Sequence, residues 1–415
     1  MLFPVEHRLI RSSLMSAAAF LLLLAWPAVA ASDDDSPKST DKKPAASDTD
    51  EPKEPDPFVV PDGTPEELLK YIRSLERQRP SSDTRQEIAE FQKKLFRALL
   101  SASEKVLAGK PNAEEAKSAV GYKLVSLQAL ERSGDLAAKK KLDDFPAQLE
   151  KAGFKELVRD VRIARALGRL KHSEGIAKAD FSKLLDEVKT LLTETPLDDE
   201  SAEVAKTAAL EVEFSEYSDM AAGVYEDFGK LFSNSKDKGI ALTGATLEGA
   251  ARRLGLVGKK MVLKGTTVDG KPFDLKKYKG KIVLVDFWAT WCGPCLMESA
   301  NIEKAYEAYH DRGFNVVSVN VDENRKDLDK FLEEHKHPWT VLYDDQEDVG
   351  NSLSTYYGIL SYPTVILVGA DGKVISIHAR GEALGKELEK LLGPVDSETD
   401  KKSSKQKAKT GGSEK

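Results

Sequence analysis

Cysteine is almost missing from this chain: 415 residues contain two. That excludes a disulfide-stapled scaffold, because such domains carry several bridges each. Histidine is scarce too, with six, at positions 7, 172, 310, 335, 337 and 378. A structural zinc site needs four ligands. Only His335 and His337 stand close together, so no metal site is expected. Basic charge is not in excess, with 62 Lys and Arg against 69 Asp and Glu. Nucleic-acid binding calls for a concentrated basic face and is not expected. Long apolar runs are missing as well. Residues 14–24 fall short of the ~20 needed to span a bilayer, although 14–31 approaches that length if left intact.

What cysteine there is stands in one place, Trp291-Cys292-Gly293-Pro294-Cys295. This run follows an apolar, strand-like stretch at 282–288 and opens a helix-like one. Two vicinal thiols that close into a disulfide form a two-electron store, tuned by the two residues between them. The alternatives are half of a zinc site and an inert staple. Staples usually close longer loops, and spending every cysteine on one C-x-x-C favours redox chemistry.

The first thirty residues read as an export signal. His7, Arg8 and Arg11 make a basic start, 14–24 an apolar core, and Ala28-Val29-Ala30 a small-x-small cleavage site. Cleavage after Ala30 is expected, with membrane anchoring as the outcome if the signal stays uncut. No cysteine near the cleavage point offers a lipid anchor. An exported protein sits where disulfides persist. Residues 31–63 are polar and are expected to form a disordered linker, and 394–415 a lysine-rich disordered tail.

From Thr64 the pattern turns helical. Thr64-Pro65-Glu66-Glu67 is a start signal, with a cap, a proline and first-turn acids. Leu68, Ile72 and Leu75 make the first stripe, and Ile88, Phe91, Leu95 and Leu99 the second. Val120, Leu124 and Leu127 follow, then Leu157, Val161 and Ala164, then Leu184, Val188 and Leu191. Glycine, proline and serine clusters separate them. The spacing predicts eight or nine helices in hairpins, without a clear ~34-residue repeat. The all-helical domain is placed at 64–235, with a linker or last helix at 236–258. Beyond 259, strand and helix alternate. Residues 261–263 and 272–273 flank Asp269-Gly270, a hairpin signal. A buried strand is expected at 282–288, then helix 294–309, strand 314–321, helix 327–334 and a short strand at 339–343. Helix 349–357, strands 365–368 and 374–378, and helix 383–392 complete the series.

Val285-Asp286-Phe287-Trp288-Ala289, the WCGPC run, Tyr362-Pro363-Thr364 and Gly381 before the last helix together resemble thioredoxin. The hairpin from Thr267 to Leu275, then Tyr278-Lys279-Gly280-Lys281 and Ala289-Thr290-Trp291, are more similar to its exported branch. That branch comprises the TlpA/ResA-like thiol-disulfide oxidoreductases of the redoxin superfamily. The resemblance covers residues 259–393 and implies an α/β thioredoxin fold there, behind a separate all-α domain that resembles no family in particular.

The resemblance assigns roles residue by residue. Cys292 is the attacking thiol, favoured as thiolate at a helix N-terminus, and Cys295 the shielded resolving thiol. Pro363 corresponds to the cis-proline packed on the disulfide, where Tyr362 offers its backbone to an incoming peptide. Trp291, Gly293 and Pro294 complete the client-binding rim. Asp286 corresponds to the buried proton acceptor of thioredoxin, where the exported branch more often has asparagine. Glu298 corresponds to that branch's glutamate; its bland alternative is an acid favoured early in a helix. The branch usually has proline where Ala300 stands. His335 and His337 are expected to satisfy the carbonyls ending a helix.

The expected function is an extracytoplasmic thiol-disulfide oxidoreductase, with no cofactor beyond the Cys292–Cys295 pair itself. Gly293-Pro294 is the thioredoxin pair, associated with a potential of about −270 mV against about −120 mV for strong oxidants. Reduction or isomerisation of disulfide-containing client proteins is therefore expected, with electrons from a membrane thiol donor. Two alternatives stand. A peroxiredoxin carries P-x-x-x-T-x-x-C, but the corresponding places hold Val285 and Ala289 before Cys292, and Trp288 and Cys292 before Cys295. In a scaffold, the helical half would bind a protein partner and the redox domain would accompany it.

Overall fold

The computed structural model describes residues 56–81, 83–344 and 350–395. The export signal, most of the polar linker and the lysine-rich tail beyond Val395 lie outside them; Val395 packs against the core of the sheet. The chain divides into two compact units between Leu191 and Leu192.

The first unit is helical. Helix α1 (Pro65–Leu75) begins as expected, with Thr64 and Glu67 forming a reciprocal capping box. Then come α2 (Arg85–Ala108), α3 (Ala113–Arg132), α4 (Leu136–Ala152), α5 (Val158–Lys171) and α6 (Lys178–Glu194), which runs across the division. Most of the anticipated stripe residues face inward: Leu68, Ile72, Leu75, Leu95, Leu99, Val120, Leu124, Leu127, Val161 and Val188 are buried, while Ile88, Phe91, Ala164 and Leu184 are half-buried.

The expected linker end at residue 63 needs correction. Residues 56–63 lie against α1 and α2. Phe58 meets Phe91 edge-on at 5.5 Å, Tyr71 Oη donates to the Pro57 carbonyl at 2.9 Å, and Lys105 Nζ donates to Asp62 at 2.7 Å. Phe58, Val59 and Val60 are an apolar island in the polar run, and Phe58 and Val60 pack on the helical core.

The second unit opens with α7 (Asp199–Glu213), α8 (Ala221–Ser233) and α9 (Lys238–Leu254). These helices were expected to belong to the helical domain or its linker. They instead share a unit with the sheet. The reason is packing, since α7, α8 and α9 pack together and Leu254 and Leu256 enter the core of the sheet.

The sheet contains β1 (Lys264–Thr267), β2 (Pro272–Asp274), β3 (Ile282–Trp288), β4 (Phe314–Asn320), β5 (Thr340–Tyr343), β6 (Thr364–Val368) and β7 (Val374–Ser376). Their order is β2-β1-β5-β4-β3-β6-β7. β3 lies inside the sheet, between β4 and β6, and is buried throughout. It runs parallel to β4, with Asp286 opposite Ser318, and antiparallel to β6, with Asp286 opposite Val365. Helices α10 (Gly293–Tyr309), α11 (Arg325–Glu334), α12 (Leu353–Tyr356) and α13 (Glu382–Leu392) complete this thioredoxin-like α/β layer.

Two elements differ from expectation. The first hairpin strand begins at Lys264, because Met261 and Leu263 are plugged into the core while the Met261 N–H bonds across to Gly372 O at 3.0 Å. The hairpin itself turns at Gly270, whose φ of 78° suits a residue without Cβ. Of the helix expected at 349–357, residue 349 lies outside the described residues; a 3-10 turn at 350–351 precedes the α-helical part, which is α12. The Asp344 carboxylate accepts from Leu353 N at 2.7 Å and Ser354 N at 2.8 Å, fixing its first turn.

Candidate active site

β3 ends at Trp288, and the chain turns through Ala289-Thr290-Trp291 into α10. Two bonds shape that turn: Cys292 N donates to Ala289 O at 3.2 Å, and Thr290 N donates to Asp322 Oδ1 at 2.9 Å. Asp322 is buried just beyond β4 and held by Asn320, whose side-chain amide donates to its other oxygen at 3.2 Å.

Cys292 is the N-cap of α10, and Pro294 stands in the first turn, where its missing N–H costs no helical bond. Cys292 and Cys295 are joined as a disulfide, with Cα atoms 5.2 Å apart. Cys292 Sγ accepts from the Cys295 N–H at 3.2 Å. A sulfur at that position faces the positive end of the helix, which favours a thiolate when the bond is open. Both residues are covered in this form, Cys292 at 6% exposure and Cys295 at 3%.

The Tyr362–Pro363 peptide bond is cis, and Tyr362 packs against the core cluster that contains both cysteines. The Trp291 ring, 57% exposed, meets Tyr362 edge-on at 5.9 Å. Burial, then the charge of Asp344, pushes the Tyr362 hydroxyl up to about 12. Leu296 and Met297 are also exposed, 39% and 65%. These two are not among the residues expected at the site, although the sequence carries a signal for them. They are apolar in a helix whose buried positions are Cys295, Ile302 and Tyr309.

The two acids occupy different settings. Asp286 is buried in β3, and its Oδ1 has no hydrogen-bond partner among the described residues. Burial, then the negative charge of Glu298, pushes its carboxyl up to about 7, with Arg380 opposing. Glu298 is tied down, accepting from the Gly381 backbone N–H at 2.8 Å and from Asn301 at 3.4 Å. The structure therefore brings Asp286, Glu298 and Arg380 into electrostatic reach of one another. Arg380, absent from the residues expected at the site, also donates to Pro363 O at 2.7 Å. α10 runs unbroken through Ala300.

His335 and His337 do not serve as carbonyl caps. His337 stacks on Trp339 at 4.7 Å and meets Trp288 edge-on at 5.5 Å, while His335 packs on Phe331. Burial, then His335, pulls the His337 imidazole down to about 4. Among the described residues no group of His, Cys, Asp or Glu is arranged to hold a metal ion, and no helix is long and apolar enough to cross a membrane.

Comparison with known proteins gives a match to the Redoxin family model over residues 252–392. A thiol-disulfide oxidoreductase ResA from Bacillus thuringiensis is 32% identical over 130 residues, covering 31% of this chain and 72% of that protein. The thioredoxin-like protein YneN of Bacillus subtilis is 33% identical over 129 residues, 30% of this chain and 72% of that protein. Among solved structures, the thioredoxin domain of a thiol-disulfide oxidoreductase from Bacteroides vulgatus is 34% identical, covering 33% of this chain and 97% of that domain with a TM-score of 0.31. Through its C-terminal third the chain belongs to the thiol-disulfide oxidoreductases of the redoxin family.

Proposed function

We propose that the protein is exported and reduces or isomerises disulfides in client proteins through Cys292 and Cys295. The observation that carries this reading is one constellation. A disulfide at the start of α10 lies beside a cis-proline segment and is rimmed by the exposed apolar side chains of Trp291, Leu296 and Met297. An extended peptide would pair with the Tyr362 backbone and rest its side chains on that rim, as chains add to open backbone edges.

In the reduced enzyme the Cys292 thiolate attacks one sulfur of the client disulfide. A mixed disulfide forms and the other client sulfur leaves as thiolate, which takes up a proton. Cys295 then loses its proton and attacks Cys292 Sγ, releasing the second client thiolate and closing the enzyme disulfide. The client gains two electrons and two protons, and a thiol donor restores the enzyme by the reverse exchange. Asp286 suits the proton step at Cys295, because a carboxyl held near 7 accepts and returns a proton at neutral pH. Glu298 tunes it through charge while anchoring Gly381.

Export rests on residues 1–30, and a membrane thiol donor is the matching electron source for a reductase outside the cytoplasm. The peroxidase reading is disfavoured by Ala289, a fully buried methyl where a peroxide-binding hydroxyl would be needed.

The test is reduction of oxidised insulin by the pre-reduced protein, with the Cys292–Cys295 potential measured by dithiothreitol equilibration. Insulin reduction with a potential near or below about −250 mV supports the reading. A potential above about −180 mV would assign an oxidant or isomerase in place of a reductase.

A further inference from the structure

Helix α9 touches one of two chain segments beside the active site, and the chain leaving α9 touches the other. Toward the first segment, which leads from α12 to Pro363, the approach is backbone on backbone. A Cβ at Gly249 would overlap the Thr355 carbonyl oxygen, and one at Gly358 would overlap the backbone nitrogen of Ala250. Gly358 also has φ 59°, a region that side chains disfavour. The Arg252 guanidinium lies 4.4 Å over the Tyr356 ring and donates to the Tyr356 carbonyl oxygen. A planar cation stacked and bonded at once has little freedom to slide. Four residues beyond Gly358 the chain reaches Tyr362 and the cis peptide bond.

The second segment runs from β7 to Arg380 and Gly381. The chain leaving α9 pairs with its start: Gly258 N donates to Val374 O at 2.8 Å, and Val374 N donates to Lys259 O at 2.9 Å. At the far end, Arg380 holds Pro363 and Gly381 holds Glu298.

α9 is itself held from behind. Arg253 makes two 2.9 Å bonds to Glu213 of α7, both side chains 4% exposed, and Tyr225 of α8 donates to the same carboxylate at 2.8 Å. A Cβ at Gly244 would overlap the Ser233 backbone, so α8 and α9 also meet closely. A buried ion pair of this kind adds little net stability, but removing either partner would leave the other charge buried and alone, so the pair holds α9 to α7.

We infer that α9 is a brace for the client-binding segment, with Gly249 and Arg252 as positioning residues that set where Tyr362 and Pro363 stand beside the disulfide. The inference rests on the reading that this segment receives the client. The dithiol itself is built on β3 and α10, which the brace does not touch through these residues. Loss of the brace should therefore weaken capture of a folded client and spare the sulfur chemistry.

The experiment compares native protein with Arg252→Ala and Gly249→Ala, each as the full chain. Oxidised insulin is the protein disulfide and 5,5′-dithiobis(2-nitrobenzoate) the small one. The expected result is a fall of about tenfold in kcat/KM for insulin, carried by KM, with the small-disulfide rate and the potential unchanged. An unchanged KM for insulin in Arg252→Ala, alongside a lowered Tm, would reduce the brace to a structural support and overturn the inference. If Gly249→Ala fails to fold, Arg252→Ala decides alone. Native protein that reacts with the small disulfide but never with insulin would overturn the functional reading and the inference together.

Discussion

Arg380 donates to the carbonyl oxygen of Pro363 at 2.7 Å, so a cation just before the last helix holds the cis-proline segment from behind. The same guanidinium lowers the Asp286 carboxyl against the pull of burial and of Glu298. One side chain thus reaches both the cis-proline segment and the charge balance at Asp286.

Arg380→Ala should therefore change two measurements. Asp286 would titrate above its native value of about 7, moving the pH profile of mixed-disulfide resolution upward. KM for a protein disulfide should also rise several-fold. Arg380→Lys keeps the charge and should preserve the pH profile better than the KM. An unshifted profile in Arg380→Ala would separate this residue from proton handling.

Asp286→Asn should alter how stability depends on pH. Burial first, then Glu298, raises the native carboxyl to about 7, whereas the unfolded chain releases that proton near about pH 4. Between those values the folded state holds a proton that the unfolded state lacks, so stability falls as pH rises through the window. The asparagine variant loses that slope. Urea unfolding should give similar stability for variant and native at pH 4, and an advantage to the variant on the order of a few kcal/mol at pH 8. Equal differences at both pH values would contradict the burial argument.

Cys295→Ser should accumulate a covalent adduct with oxidised insulin, visible on a non-reducing gel, because attack by Cys292 no longer has a resolving thiol. Cys292→Ser should accumulate none and lose turnover. The reverse pattern would exchange the two roles.

Asp322→Ala should loosen the turn that carries the first cysteine. Thr290 N–H would lose its acceptor in a half-buried setting, at a cost of about 1 kcal/mol in unfolding free energy. Denaturant midpoints of variant and native protein check this, and an unchanged midpoint would show that another acceptor takes over.

The parts of the site legible in the sequence are those written locally. A buried strand, a C-x-x-C at its end and a Tyr-Pro-Thr ahead of the next strand each announce themselves within a few residues, and the structure places them together. Arg380 and Asp322 escaped because a lone charge in a loop gains its meaning from a partner 17 or 32 positions away. The division of the chain was misplaced for a related reason. Helices α7–α9 have amphipathic patterns like those before them, and nothing in a 3.6-residue period says which layer a stripe will cover. What assigns α9 to the sheet is Gly249 and Gly358, two residues 109 positions apart whose backbones meet. Phe58 is the converse case, a single aromatic ring that ordered part of an otherwise polar run.

The two cysteines are bonded to each other, and the chain has no third. In the proposed exchange a client captured on Cys292 can be released by Cys295 or by its own freed thiolate, and this chain offers no bystander thiol to which it can migrate. Scrambling within the enzyme is closed off by composition. The lifetime of a captured client becomes a contest between one neighbouring thiol, the client's own thiolate and whatever free thiols the surroundings provide.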